Sequence, residues 1–235
     1  MKTISIIIPV FNEEKTIYTV ITNILQEPFF DEFIKEIIIV NDGSADNSYF
    51  IINNLTKKYS EIIMINHKFN QGKGAAIISG LKQASGEIIL FQDGDCEYLP
   101  INYSEIISPI LNNQCDVVFG SRFFNNNNHT LFFQRSVNRL LTGIFNKAYN
   151  SKLTDVETGL KAFSSNSINK IDLTQRKFSI EIEIAAKLIK KKFTIFEVDS
   201  SFVARTYKAG KKISFLDFFD AIYCIYKYWK QKTFN

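Results

Sequence analysis

The chain has little cysteine: only Cys96, Cys115 and Cys224. They are widely spaced, odd in number and form neither a CxxC pair nor a zinc spacing. A disulfide scaffold is thereby excluded, and a reducing cytosol is the simplest setting. The two histidines, His67 and His129, stand alone without metal spacing and receive no role. No apolar run approaches the roughly 18 residues that a membrane span needs. The opening Met1-Lys2-Thr3 and then Ile4 to Val10 is too short for a signal peptide and has no small-residue cleavage site, so it reads as a buried strand. A GxxxxGK[ST] phosphate loop is missing too. Asn70-Gln71-Gly72-Lys73-Gly74-Ala75-Ala76 comes nearest, but Ile77 stands where a dinucleotide fingerprint needs its third glycine. A P-loop ATPase and a dinucleotide fold both lose support. These glycines read instead as letting a helix start close to its neighbours.

What is present is an ordinary globular composition: 235 residues, 46% hydrophobic and 22% charged. Disorder and collagen are excluded as overall classes, and a chain this long buries a sizeable core. The net charge of +4 is unevenly placed. Residues 180–235 hold 11 Lys+Arg against 6 Asp+Glu, whereas the rest hold 17 against 18. A basic C-terminal end suggests an anionic partner there: phosphate groups, a membrane surface or nucleic acid. The modest charge and the lack of a nucleic-acid motif argue against the last.

Strand-like and helix-like segments alternate through the first half. Ile4 to Pro9, Ile37 to Val40, Ile62 to Ile65 and Glu87 to Phe91 are apolar runs. Glu13 to Leu25, Ser44 to Tyr59 and Gly72 to Ala84 have helical spacing or caps. Continuous apolar strands between helices predict an α/β fold with a mostly parallel, Rossmann-like sheet covered on both faces, and ligands bind at the ends of such strands. In the second half Val117 to Phe119 reads as a strand, and Thr194 to Val198 and Ser201 to Ala204 as extended. Phe132 to Tyr149, Ile180 to Lys191 and Ser214 to Trp229 read as helices.

The sharpest chemistry lies at Phe91-Gln92-Asp93-Gly94-Asp95-Cys96-Glu97, directly after a predicted strand. Two carboxylates flank one glycine, their charges repel, and a hard cation such as Mg²⁺ or Mn²⁺ that shares phosphate ligands suits them. The common alternative is a solvated loop. Asn41-Asp42-Gly43-Ser44 reads as a turn and helix cap, and also as placing Asp42 to accept from a nucleotide base. Pro9-Val10-Phe11-Asn12-Glu13-Glu14 reads as a strand exit with an acidic first turn, or as giving Glu13 to a ribose hydroxyl. Lys190-Lys191-Lys192 is a solvated helix end.

Together these motifs resemble the nucleotide-sugar-binding half of family 2 glycosyltransferases. Gly120-Ser121-Arg122-Phe123, the stretch Leu153 to Lys161, Phe178 to Glu183 and Arg205 to Ile213 are similar to the branch of polyprenyl-phosphate (dolichyl-phosphate) mannosyl- and glucosyltransferases. The resemblance spans Ile4 to about Tyr228. It implies a GT-A fold and inverting, metal-dependent transfer of a sugar from a GDP- or UDP-linked donor to a polyprenyl phosphate. It also implies one domain over 1–235: a nucleotide-sugar half to about 120, an acceptor half over about 121–213 and an amphipathic helix over about 214–235. By position, Asp93 and Asp95 hold Mg²⁺ or Mn²⁺, with Glu97 as a further ligand and Gly94 between them. Pro9, Phe11, Glu13 and Asp42 line the nucleoside pocket. Arg122, Arg135, Arg205 and Lys211 face donor or acceptor phosphates. Asn41 and Gly94 depart from the family's usual Asp and Ala without removing a ligand.

Charge developing on the leaving diphosphate calls for a Lewis acid and nearby cations. A lipid-phosphate acceptor is already ionised and needs positioning by arginines such as Arg205 rather than a base. A hydroxyl acceptor needs a base, for which Asp155 and Glu157 are the candidates; the alternative for both is a turn and a structural salt bridge. Arg205, Lys208, Lys211 and Lys212 around Ala209-Gly210 suggest a phosphate-gripping loop. Tyr226, Tyr228 and Trp229 with Lys227, Lys230 and Lys232 suit both a core and a membrane interface. The expected location is cytoplasmic, with peripheral contact at the inner membrane face. Rival expectations are transfer to a glycan hydroxyl and a non-catalytic nucleotide-sugar-binding protein.

Overall fold

The computed structural model describes residues 2–98, 103–124, 132–203 and 215–231. Four βα-type units open the chain: β1 (Lys2–Val10), α1 (Ile17–Gln26), β2 (Phe33–Asn41), α2 (Ser48–Lys58), β3 (Ile62–Asn66), α3 (Lys73–Gln83), β4 (Ile88–Phe91) and α4 (Tyr103–Leu111). After them come β5 (Val117–Ser121), α5 (Phe132–Tyr149), β6 (Lys161–Ser164), the one-turn α6 (Ser165–Ile168), α7 (Ile180–Lys190), β7 (Ile195–Asp199) and α8 (Phe215–Lys230). The strands form a seven-stranded sheet in the order β3-β2-β1-β4-β6-β5-β7. β1 runs parallel to β2 and β4, β2 to β3 and β5 to β7, whereas β6 is antiparallel to both β4 and β5. The expected mostly parallel α/β sheet with two covered faces is what forms.

Strand side chains alternate between two cores, which is why these strands carry no polar face. Ile7, Ile38, Val40, Ile89 and Phe91 pack on one side, with Phe145, Ile182, Ala185 and Ile225 from the helices there. Ile4, Ile6, Ile8, Ile37, Ile39 and Leu90 pack on the other, with Ile17, Ile21, Ile52 and Ile106. Burying each such aliphatic side chain contributes about 1.5–3 kcal/mol, so the frame that carries the loops is rigid.

Helix starts differ in detail from the sequence pattern. α1 begins at Ile17 rather than Glu13, because residues 13–16 form a turn closed by Thr16 N–H to the Glu13 carbonyl at 3.0 Å. The elements not assigned from sequence include α4, β6 and the one-turn α6. β6 matters most for the site. It enters the sheet against the direction of its neighbours, pairing Lys161 with both Phe91 of β4 and Phe119 of β5. The chain entering β6, residues 153–160, therefore lies at the same lip of the sheet as the chain leaving β4 and β5.

Candidate active site

The exits of β1 and β2 are laced together. Asn12 N–H donates to Ser44 Oγ at 2.9 Å, Glu13 N–H to Ser48 Oγ at 2.8 Å, and Ala45 N–H to Asn12 Oδ1 at 2.8 Å. Asn12 adopts φ +51°, a conformation asparagine tolerates. Thr16 Oγ1 sits 2.9 Å from Glu13 Oε2 and 2.8 Å from the Gly94 carbonyl, and so ties this lip to the loop after β4. Glu13 is buried, and Pro9 and Phe11 are half-buried at the same exit.

Asp42 is buried at the end of β2 and serves as a hub. Its Oδ1 accepts from His67 Nδ1 at 2.6 Å and Gln71 N–H at 3.0 Å, and its Oδ2 accepts from Gly72 N–H at 2.7 Å. His67 Nε2 lies 2.9 Å from Ser79 Oγ of α3. His67, given no role from sequence, thus orients Asp42.

Asp93 follows β4 and keeps 21% of its side chain exposed. Lys73, at the start of α3, places Nζ 2.7 Å from Asp93 Oδ1 and 2.9 Å from Glu181 Oε1 of α7. The other Glu181 oxygen accepts from Lys161 of β6, whose side chain is fully buried. Burial works against charge on Lys73, but Asp93 and Glu181 outweigh it and hold the ammonium protonated. Burial pulls the Lys161 ammonium down, with Glu181 opposing. Asp93 also lies flat against Gly159, where any Cβ would stand 2.0 Å from its Oδ2. Asp95 Oδ1 accepts from Glu97 N–H at 3.1 Å, and both Asp95 and Glu97 are half-buried.

These donors test the expected cation. Among the described residues no group of three His, Cys, Asp or Glu side chains converges on one point. The expected trio of Asp93, Asp95 and Glu97 is therefore not assembled as a protein cage, because Asp93 turns to Lys73 and the Asp95 carboxylate accepts from the loop's own backbone. Two partly exposed carboxylates still fit a hard cation that takes its remaining ligands from water and phosphate.

The entry to β6 supplies the opposite wall. Asp155, expected as a base, is wholly buried and accepts from Arg122 Nε at 2.6 Å, Nη2 at 2.8 Å and N–H at 3.1 Å. Glu197 in turn accepts from the Thr154 and Asp155 N–H groups. The ion pair named from sequence as the alternative to a base is thus formed by Asp155. Arg122, expected to face phosphate, directs its fork to Asp155 and stacks on Phe123 and Phe202. Burial opposes its charge, and Asp155 outweighs burial. Glu157 differs. Its carboxyl is pushed up to about 7 by burial, with Arg122 opposing and Asp155 and Glu181 adding to the rise. Tyr98 O–H accepts from Gly159 N–H at 2.8 Å and lies 3.2 Å from Thr158 Oγ1, which fixes this segment.

Arg135 lies half-buried in the first turns of α5. Arg205, Lys208, Lys211, Lys212 and His129 lie outside the described residues. Sequence reading missed Lys73, Lys161, Glu181 and His67. Glu181 shares the buried Ile180–Leu188 stretch of α7 with Glu183 and Lys187, so the sequence did not single it out.

α8 buries Ala221, Cys224, Ile225 and Tyr228 and turns Phe219, Tyr223, Tyr226 and Trp229 outward. The aromatic band is thus partly core, as expected, and Tyr228, named for both a core and a membrane interface, is among the buried residues. No helix among the described residues is long and apolar enough to cross a membrane.

A family model described as Glycosyl transferase family 2 matches residues 5–172. A UDP-N-acetylglucosamine–dolichyl-phosphate N-acetylglucosaminyltransferase of Methanococcus voltae is 33% identical over 211 residues, covering 81% of this chain and 81% of that protein. An undecaprenyl-phosphate 4-deoxy-4-formamido-L-arabinose transferase of Proteus mirabilis is 26% identical, over 94% of this chain and 65% of its own length. Among solved structures, glucosyl-3-phosphoglycerate synthase of Mycobacterium tuberculosis with Mn²⁺, UDP and phosphoglyceric acid superposes with a TM-score of 0.74 at 18% identity, over 97% of this chain and 79% of that one.

Proposed function

The chain belongs to glycosyl transferase family 2, has the GT-A fold, and is a sugar-transferring enzyme; from that premise we propose that it moves a sugar, with inversion, from a nucleoside-diphosphate donor to a polyprenyl phosphate. The observation that carries this reading is the meeting of Asp93 and Asp95, half-buried after β4, with the laced nucleoside-side exits of β1 and β2. The donor half runs to about residue 120 and the acceptor half over about 121–213.

Pro9, Phe11, Glu13 and Asp42 bind the nucleoside. Asp93 and Asp95 are the residues that would hold Mg²⁺ or Mn²⁺, and a cation bound there supplies charge stabilisation to the leaving diphosphate. Lys73 adds a fixed positive charge 2.7 Å from Asp93. Arg135, Arg205 and Lys211 remain the candidates for donor or acceptor phosphate. A phosphate acceptor is a nucleophile at neutral pH, so the burial of Asp155 in an ion pair is no obstacle to it. Glu157 remains a candidate base for a hydroxyl, so the choice of lipid phosphate does not rest on Asp155. The relatives named above, which by name use dolichyl or undecaprenyl phosphate, support the same choice. The outward aromatics of α8, with Lys227 and Lys230 beside them, suit peripheral contact with an anionic bilayer on the cytoplasmic side, where a lipid-borne acceptor resides.

The test supplies undecaprenyl phosphate and a panel of radiolabelled UDP- and GDP-sugars with Mn²⁺ or Mg²⁺. Label entering the chloroform phase is expected. Label that moves only to a soluble glycan would replace this acceptor with the hydroxyl one, and a silent panel with intact nucleotide binding would favour a non-catalytic protein.

A further inference from the structure

Four charges form a line from the lip of the sheet inward: Asp93, Lys73, Glu181, Lys161. Lys73 bridges the two carboxylates at 2.7 and 2.9 Å, and Lys161 closes the inner end on Glu181. Acids and lysines alternate along the line, so each carboxylate has a basic partner. Nor is Lys73 a swinging surface lysine, because its side chain is 14% exposed. The first turn of α3 is clamped, with Ala75 N–H donating to the Arg176 carbonyl at 3.0 Å. Any Cβ at Gly72 or Gly74 would stand 2.4 or 2.2 Å from the backbone oxygens of residues 176 and 175. Glycine on both sides of Lys73 thus lets this turn lie against the 175–176 backbone, and that contact fixes where the lysine emerges.

We propose that Lys73 is a positioning residue that competes with a divalent cation for the Asp93 carboxylate and gives way when an anionic diphosphate engages its ammonium. The proposal rests on the reading that Asp93 and Asp95 are cation ligands. A dication approaching Asp93 meets a resident ammonium within a few ångströms and is repelled. An anionic diphosphate offers that ammonium a further partner in place of Asp93, which frees the Asp93 carboxylate. Cation and diphosphate are then coupled through Lys73, and by linkage each raises the affinity for the other. The device lets the enzyme load its cation together with donor rather than before it.

The experiment titrates Mn²⁺ into the full chain without donor, by calorimetry and by electron paramagnetic resonance of free Mn²⁺. It compares wild type, Lys73→Met and Glu181→Gln, each checked for folding by circular dichroism. Lys73→Met is expected to bind Mn²⁺ roughly tenfold more tightly or better, the scale of removing a unit charge a few ångströms away. Glu181→Gln leaves Lys73 with Asp93 as its one anionic partner, and is expected to bind Mn²⁺ more weakly. A merely structural role would move both variants in the same direction. Unchanged or weaker binding by Lys73→Met overturns the proposal. If that variant fails to fold, unchanged or tighter binding by Glu181→Gln overturns it. Should none of the proteins bind Mn²⁺, with or without nucleoside diphosphate, the proposal and the cation reading fall together; equal binding by all three removes Lys73's role alone.

Discussion

Replacing Gly159 with alanine puts the arrangement around Asp93 under direct stress. The added Cβ would stand 2.0 Å from Asp93 Oδ2 and 2.7 Å from its Cγ. An ordinary carbon–oxygen approach is about 3.3 Å or more, so the carboxylate must retreat by more than about 1 Å. That movement strains or breaks the 2.7 Å bond to Lys73, a charge-assisted contact worth about 1.5–3 kcal/mol. In a chain of this size the loss lowers Tm by roughly 3–12 °C. Catalysis suffers more, because a displacement of about 1 Å in a positioned group costs about 100-fold in rate. The matched control is Gly94→Ala, whose Cβ would meet Val10 Cγ2 at 3.3 Å and the Pro9 carbonyl at 3.4 Å. A small adjustment admits it, and stability should stay within about 0.5 kcal/mol of wild type. Thermal melts and kcat/KM for donor, measured on both variants, give the comparison. A Gly159→Ala enzyme with wild-type kcat/KM refutes the placement of Asp93.

Other consequences follow from the same geometry. Asp155→Asn leaves Arg122 buried without its counter-charge and should cost about 3–5 kcal/mol in denaturant unfolding; a variant of wild-type stability with no turnover would return Asp155 to the role of base. Glu157 has a folded-state pKa of about 7 against an ordinary 4.5, so the folded state holds its proton over a range where the unfolded chain has lost it. Stability from this group is complete below about pH 4.5, falls as pH rises through about 7, and then levels, by about 3 kcal/mol in all. Glu157→Gln should remove that part of the slope, and an unchanged slope contradicts it. Tyr223→Ser with Trp229→Ser on the outward face of α8 should reduce co-sedimentation with phosphatidylglycerol vesicles while leaving donor binding intact; undiminished sedimentation assigns lipid contact elsewhere.

The early βα units were legible because Ile-rich runs alternate with segments of helical period, and each run is long enough to be a strand buried on two sides. β6 was not legible for the opposite reason. It is four residues long, and its first, Lys161, is a lysine with no exposed surface, so local pattern reads it as surface. That one antiparallel strand brings residues 153–160 beside Asp93. The pairing of Asp155 with Arg122 joins residues 33 apart and depends on a juxtaposition that no local motif encodes. Asp93 and Asp95 were legible because two acids around a glycine directly follow a buried strand. Lys73 was seen only as part of a glycine-rich helix start. Its partner Glu181 arrives from α7, more than a hundred residues later.

The central claim is that the carboxylates after β4 hold a donor diphosphate through a divalent cation. Calorimetric titration of UDP and GDP into wild type and Asp95→Asn, with Mn²⁺ and then with excess EDTA, tests it most directly. One nucleotide should bind wild type with Mn²⁺, lose most of its affinity in EDTA, and bind the variant weakly under both conditions. Equal affinity with and without the cation, or an Asp95→Asn protein that binds like wild type, contradicts the account.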